Sequence, residues 1–251
     1  MANEGTRDTT FNRTGMALAP IQGPQVREAG EKTRPTTPGD ADGLLRARAD
    51  WIGVRVPVGS MPPPSSVTGA VKSGIAALKG DHPNVLLDKL GERLAFERTG
   101  VRLYDALIAA VEALGEEPHG PSLAALREIR DEEARHFGLV KAAIEELGGD
   151  PTCVTPCADG VGVASAGLVA VSTDPRSSRS QRLHAILVAE LTDNEGWEML
   201  IDLCRAAGRG PMAERFETAL VNERSHLARV RAWMRRQSEV NLKEGRSGVD
   251  V

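Results

Sequence analysis

The sequence predicts an all-α protein, with two antiparallel helical hairpins joined by one long crossover and preceded by an irregular N-terminal extension. Three observations predict this. Aromatic residues are only 3% of the 251 residues, too few for the sandwiches and barrels that draw on aromatic and β-branched side chains. Proline is absent from 84–117, 122–150, 176–210 and 212–251, which leaves four windows able to hold long helices. Within each window apolar residues recur in steps of three and four.

The elements follow in chain order. Residues 1–80 hold eight of the fifteen prolines, including Pro62-Pro63-Pro64, and eleven of the 26 glycines. Such a segment reads as an irregular extension. Only Val67, Val71, Ile75 and Leu78 suggest a short helix, near 66–79. The first long helix runs from about 84 to 115, between Pro83 and Gly115. The second runs over 122–147, with Ser122 as its N-cap and Gly148-Gly149 at its end. The third covers 178–207 and stops at Gly208. The fourth covers 211–238, with Pro211 in its first turn. These four form a bundle over 81–240, followed by a polar tail at 241–251. Short connections make each pair a hairpin, and the 148–177 crossover has room for a short apolar helix at VASAGLVAV.

Composition narrows the function classes. A chain that is 41% hydrophobic and 26% charged can build a packed soluble core. Residues 1–80 carry ten Lys/Arg and seven Asp/Glu, whereas 81–251 carry 21 and 28. The folded part is therefore acidic, which disfavours nucleic acid and suits cations. No run approaches 18 uninterrupted apolar residues, so no membrane span is expected. MANEGTRDTTFNRTG contains no apolar stretch of a secretory leader. Three cysteines make no disulfide framework, and a cytoplasmic location is the simplest expectation. Cys153 and Cys157 read as loop thiols rather than a redox or metal pair. Cys204 reads as a small buried hydrophobe.

The functional signal lies in the buried stripes. They are Leu90, Leu94, Glu97, Val101, Tyr104, Ile108, Val111; Leu126, Ile129, Glu133, His136, Val140, Ile144, Leu147; Leu183, Ile186, Glu190, Asn194, Trp197, Ile201, Cys204; and Met212, Phe216, Ala219, Glu223, His226, Val230, Trp233. Each is apolar except near its middle, where a Glu interrupts it. Four ionised carboxylates stay buried together only if cations neutralise them.

Helices two and four add a His three residues after the Glu, in Glu133-x-x-His136 and Glu223-x-x-His226. That spacing puts both side chains on one face, about one turn apart, where they can share an ion. With 21 Glu and five His, chance gives about 0.4 such matches in the whole chain, so position along the stripe carries the weight. Glu116-x-x-His119 also matches, but Gly115 and Pro118 place it in a loop. Six ligands, Glu97, Glu133, His136, Glu190, Glu223 and His226, then converge from four helices. An oxygen-rich set with one imidazole per ion suits a pair of iron or manganese ions rather than structural zinc. The two halves are also alike. Glu97–Ile108 aligns without gaps to Glu190–Ile201, which places Tyr104 opposite Trp197 in the repeat.

The order Glu97, Glu133-x-x-His136, Glu190, Glu223-x-x-His226, together with DEEARHFGLVKAAIEELGGDP, resembles the ferritin-like superfamily of di-iron carboxylate proteins, of the bacterioferritin and rubrerythrin type. The resemblance covers about 84–238. It implies that Glu133 and Glu223 bridge two ions, that Glu97 and Glu190 are terminal ligands, and that His136 and His226 bind one ion each. It further implies two iron ions, with manganese as the alternative, and reaction with dioxygen or hydrogen peroxide, as in a ferroxidase, peroxidase or catalase. An oxygenase acting on an organic substrate and a non-catalytic metal-binding or assembly protein are the alternatives. No paired Cys-x-x-Cys motifs supply a fused electron donor, and assembly into a homo-oligomer is compatible with the pattern. Tyr104 and Trp197 read chiefly as large side chains filling the layer beside the site, with capping of the ions or electron relay as the functional alternative. Asn194 reads either as a hydrogen-bond partner of the ligands or as a water-satisfied core group.

Overall fold

The computed structural model describes residues 21–33, 41–56, 58–61 and 84–245. Among them are seven α-helices and no strand. The chain divides into two compact units, Met1–Val56 and Pro57–Val251.

The first unit holds α1, Gln22–Lys32, and α2, Ala41–Gly53. The sequence reading expects irregular chain here, and the structure corrects it. Pro24 falls in the first turn of α1, where a missing N–H costs nothing. Glu28 and Lys32 pair one turn apart at 2.5 Å. Helix α2 carries Leu44, Leu45, Trp51 and Ile52 at helical spacing, but none of its described residues is buried. The short helix expected at 66–79 lies outside the described residues.

The second unit holds five helices: α3, Asn84–Leu114; α4, Leu123–Glu146; α5, Pro156–Thr173; α6, Arg179–Ala206; and α7, Gly210–Glu244. Their ends follow local chemistry. Gly115 leaves α3 at φ +86°, a conformation side chains resist. Ser122 Oγ accepts from the Ala125 N–H at the start of α4. The carboxylate of Glu116, in the loop motif set aside above, accepts from the Leu123 N–H at 2.6 Å. Ser178 and Gln181 form a reciprocal capping box on α6. The fourth long helix outlasts its predicted end and takes in part of the expected polar tail. Gln237 and Asn241 are buried and bonded to each other, and the stop comes at Gly245, with φ +66°.

The crossover helix is longer than predicted. Thr155 caps it, accepting from the Ala158 N–H, and Pro156 starts it, so Cys157 lies in a helix rather than a loop. Asp88 of α3 accepts from the Cys157 N–H at 2.9 Å, and Thr155 Oγ1 donates to the Asp88 carbonyl. At the other end Arg182 of α6 donates to the carbonyls of Ser172 and Asp174 at 2.6 and 2.7 Å. By length and composition alone α5 is apolar enough to cross a membrane. The sequence reading misses this because it asks for an unbroken apolar run, whereas glycines and serines separate the valines here. In the structure α5 packs on α3 and α6.

Helix α3 packs against α4, α5 and α6, while α7 packs against α6 and α4. Two apolar layers result. One joins Leu86, Leu90 and Leu94 of α3, Val140 and Ile144 of α4, Trp197 and Ile201 of α6, and Met212 and Phe216 of α7. The other joins Leu103 and Leu107, Leu126 and Ile129, Leu183 and Ile186, and Val230 and Trp233 of the same helices. Along every long helix the segment between these layers carries the polar residues.

Candidate metal centre

Between the layers, the side chains of Glu97, Glu133, His136, Glu190, Glu223 and His226 are all buried, Glu97, Glu223 and His226 at 0% exposure. Two groups of ligand atoms form, each with all atoms within 4.8 Å of one another. One is Glu97, Glu133, His136 and Glu223; the other is Glu133, Glu190, Glu223 and His226. Glu133 and Glu223 belong to both. The six residues singled out in the sequence are thus brought together.

Both imidazoles turn Nδ1 toward the carboxylates. His136 Nδ1 lies 2.5 Å from Glu223 Oε1 and 3.8 Å from Glu97 Oε2. His226 Nδ1 lies 3.2 Å from Glu223 Oε2 and 3.4 Å from Glu133 Oε1. The outer nitrogens differ in company: His226 Nε2 is 2.7 Å from Glu132 Oε2, whereas His136 Nε2 is 3.4 Å from Asn222 Nδ2.

Three residues beside the site were named from sequence. Tyr104 donates its hydroxyl to Glu190 Oε1, which makes it more than core filling. Trp197 stands edge-on to His136, with ring centroids 5.7 Å apart, and packs on Phe216. Asn194 is half-buried and donates to the carbonyls of Glu190 and Glu223 at 2.9 and 3.1 Å, so it ties α6 to α7 through the backbone.

Other residues escape the sequence reading. Buried Arg93 places Nε 3.0 Å from Glu97 Oε1 and binds the Asp193 carboxylate and carbonyl with its terminal nitrogens. Its guanidinium lies over Phe96 and Trp197, 4.7 and 5.7 Å from the ring centroids. Asp193 is buried where the predicted stripe placed Asn194. Glycine makes room twice, since a Cβ at Gly100 would meet Glu133 Oε2 at 2.6 Å and one at Gly196 would strike the Arg93 guanidinium. Arg93 precedes Glu97 by one turn and Asp193 follows Glu190 by three residues, the spacing of the Glu-x-x-His pairs, so a signal for both exists.

Burial pushes Glu97, Glu190 and Glu223 well above the usual carboxylate range, with neighbouring carboxylates adding to the shift. Glu133 is also raised by burial, against the pull of His226. Burial lowers His136 to about 4. It works against protonation of His226 too, but Glu133 and Glu132 hold that imidazole above its ordinary value.

The donor set fits cations. Glu97 Oε2 and Glu190 Oε2 are buried without a hydrogen-bond partner, an expensive arrangement unless an ion or a proton takes up the lone pairs. Five buried carboxylates, counting Asp193, face one guanidinium, Arg93, within this cluster. With every carboxylate ionised and both imidazoles neutral, as metal ligands are, four negative charges remain, the charge that two divalent cations carry. Comparison with family models, curated proteins and solved structures found no match.

Proposed function

We propose that the second unit is a ferritin-like four-helix bundle holding two iron ions, with manganese as the alternative, and that it performs oxidoreductase chemistry on dioxygen or hydrogen peroxide. The observation that carries this reading is the buried set of four Glu and two His, in which Glu97 Oε2 and Glu190 Oε2 have no hydrogen-bond partner. The apolar layers support the topology. The first half of α3 shares a layer with the second half of α4, the second half of α6 and the first half of α7. The four helices therefore run up, down, down and up, and α5 spans the length between α4 and α6, as the ferritin-like crossover requires.

Glu133 and Glu223, common to both groups, are the proposed bridging ligands. Glu97 with His136, and Glu190 with His226, complete the two positions. A bound pair would supply Lewis acidity and one-electron redox change. The chain's own part is to exclude bulk water, fix the ligands and hold a proton on Tyr104, whose hydroxyl burial pushes well above its usual range. A void of about 10 Å³ bordered by Gly100, Tyr104, Glu133, Glu190 and Asp193 is on the scale of one water-sized molecule. That favours a small oxidant.

A second reading, an organic substrate, has one observation behind it. A cavity of about 510 Å³ opens between α3, α5 and α6, with Phe96, Val161, Met199 and Leu203 among its walls. None of the six ligands lines it, and Arg93 stands between it and Glu97.

Oxygen and peroxide uptake after mixing the protein with ferrous iron tests the proposal. Consumption well above that of ferrous iron in the same buffer is expected. Equal rates would leave a passive metal holder.

A further inference from the structure

The two proposed cation positions share Glu133 and Glu223, so their difference lies in what stands behind the remaining ligands. Behind Glu97 is a cation, with Arg93 Nε 3.0 Å from Oε1. Behind Glu190 is a neutral phenol, the Tyr104 hydroxyl. Behind His136 is a neutral amide, Asn222, and behind His226 is a carboxylate, Glu132, 2.7 Å from Nε2. A carboxylate on the outer nitrogen fixes the imidazole tautomer and strengthens it as a ligand, whereas an amide does so less. A guanidinium on a carboxylate competes with a cation for the same lone pairs. Both differences point the same way.

We infer that the two positions are unequal, and that the one formed by Glu190 and His226 fills first because Glu132 supports it while Arg93 weakens the position formed by Glu97 and His136. This rests on the two-cation reading. Arg93 and Glu132 are then positioning residues that set the order of loading and touch no ion themselves. Asp193 takes the terminal nitrogens of Arg93 and offsets part of its charge, but Nε still faces Glu97. The two hairpins, alike in ligand spacing, therefore give two ion positions with different partners. Arg93 aligns in the repeat with Ile186, and Glu132 with Asn222.

The test is a calorimetric titration of the chelator-stripped full chain with manganese(II) alone, in the native protein and in Glu132→Gln, Arg93→Met and Arg93→Lys. The native protein is expected to bind in two steps separated by about tenfold or more in affinity. Glu132→Gln should weaken the tighter step by about 10–100-fold and leave the other nearly unchanged. Arg93→Met should tighten the weaker step alone, and Arg93→Lys, which keeps the charge, should retain the native gap. Circular dichroism of each variant confirms that its helices persist. Opposite, step-specific shifts are what a general loss of structure does not produce. Two ions bound with one affinity, or Glu132→Gln weakening both steps alike, would overturn the inequality and leave the two-cation reading standing. A native protein that binds no ion would overturn both.

Discussion

Gly100 faces Glu133 so closely that a Cβ at position 100 would meet Glu133 Oε2 at 2.6 Å. Glycine inside a long helix costs about 1 kcal/mol relative to alanine, and the carboxylate uses the space. Gly100→Ala is therefore expected to lower the melting temperature of the metal-free protein somewhat, because displacing the buried Glu133 carboxylate outweighs the gain in helix propensity. Metal affinity should fall by about tenfold or more, because the displaced group is a shared ligand. Thermal melts and a manganese titration read the two effects separately, and unchanged affinity would contradict the assignment of Glu133.

Stability of the metal-free protein should fall as pH rises. Glu97, Glu133, Glu190 and Glu223 all have raised pKa values in the fold. Each contributes stability that is full below its unfolded value and is lost as pH climbs through its folded value. His226, also raised, acts in the same direction above pH 6.5. His136, lowered to about 4, opposes them, since its neutral form is favoured and stability is lost as pH falls from 6.5 toward 4. The four carboxylates outnumber it. Melting temperature against pH should decline from mildly acidic toward alkaline conditions without metal. The gain on adding manganese should grow with pH, because ligands must be deprotonated to bind. A metal-free profile that rises with pH would contradict this.

Removing residues 1–56 should preserve the helical signal and melting transition of the second unit, whereas removal through residue 61 should lower its stability. The Ser60 N–H donates to the Val154 carbonyl at 2.9 Å, Gly59 lies against Val154 and Thr155, and Met61 packs on the first apolar layer. Paired truncations compared by thermal denaturation check this. Equal stability of both would show that 58–61 contributes nothing.

The long helices and the six clustered side chains were legible because burial writes itself into sequence as periodicity. A Glu on an apolar stripe is conspicuous when everything around it is Leu, Ile and Val. What escaped lacked that contrast. Arg93 sits beside Leu94 on the same face and reads as the flank of the stripe, although its spacing from Glu97 allows a pair. Glu132 precedes a stripe residue and is only partly exposed, which composition cannot reveal. Asp193 and Asn194 are adjacent, and a step of three rather than four decides which is buried. Helix α2 does carry a periodic trace in Leu44, Leu45, Trp51 and Ile52, but it is short and lies within a segment rich in proline and glycine. The start of α5 was readable, since Thr155-Pro156 is an N-cap followed by a first-turn proline.

The measurement that tests the central claim most directly is elemental analysis of protein stripped with chelator, reloaded anaerobically with ferrous iron or with manganese(II), and dialysed. Glu133 and Glu223 belong to both ligand groups, so removing both should dismantle the whole centre. The native chain is expected to retain two ions, and the Glu133→Ala, Glu223→Ala double variant none, with both folded by circular dichroism. A native chain that retains no ion, or a double variant that still retains two, would contradict the account.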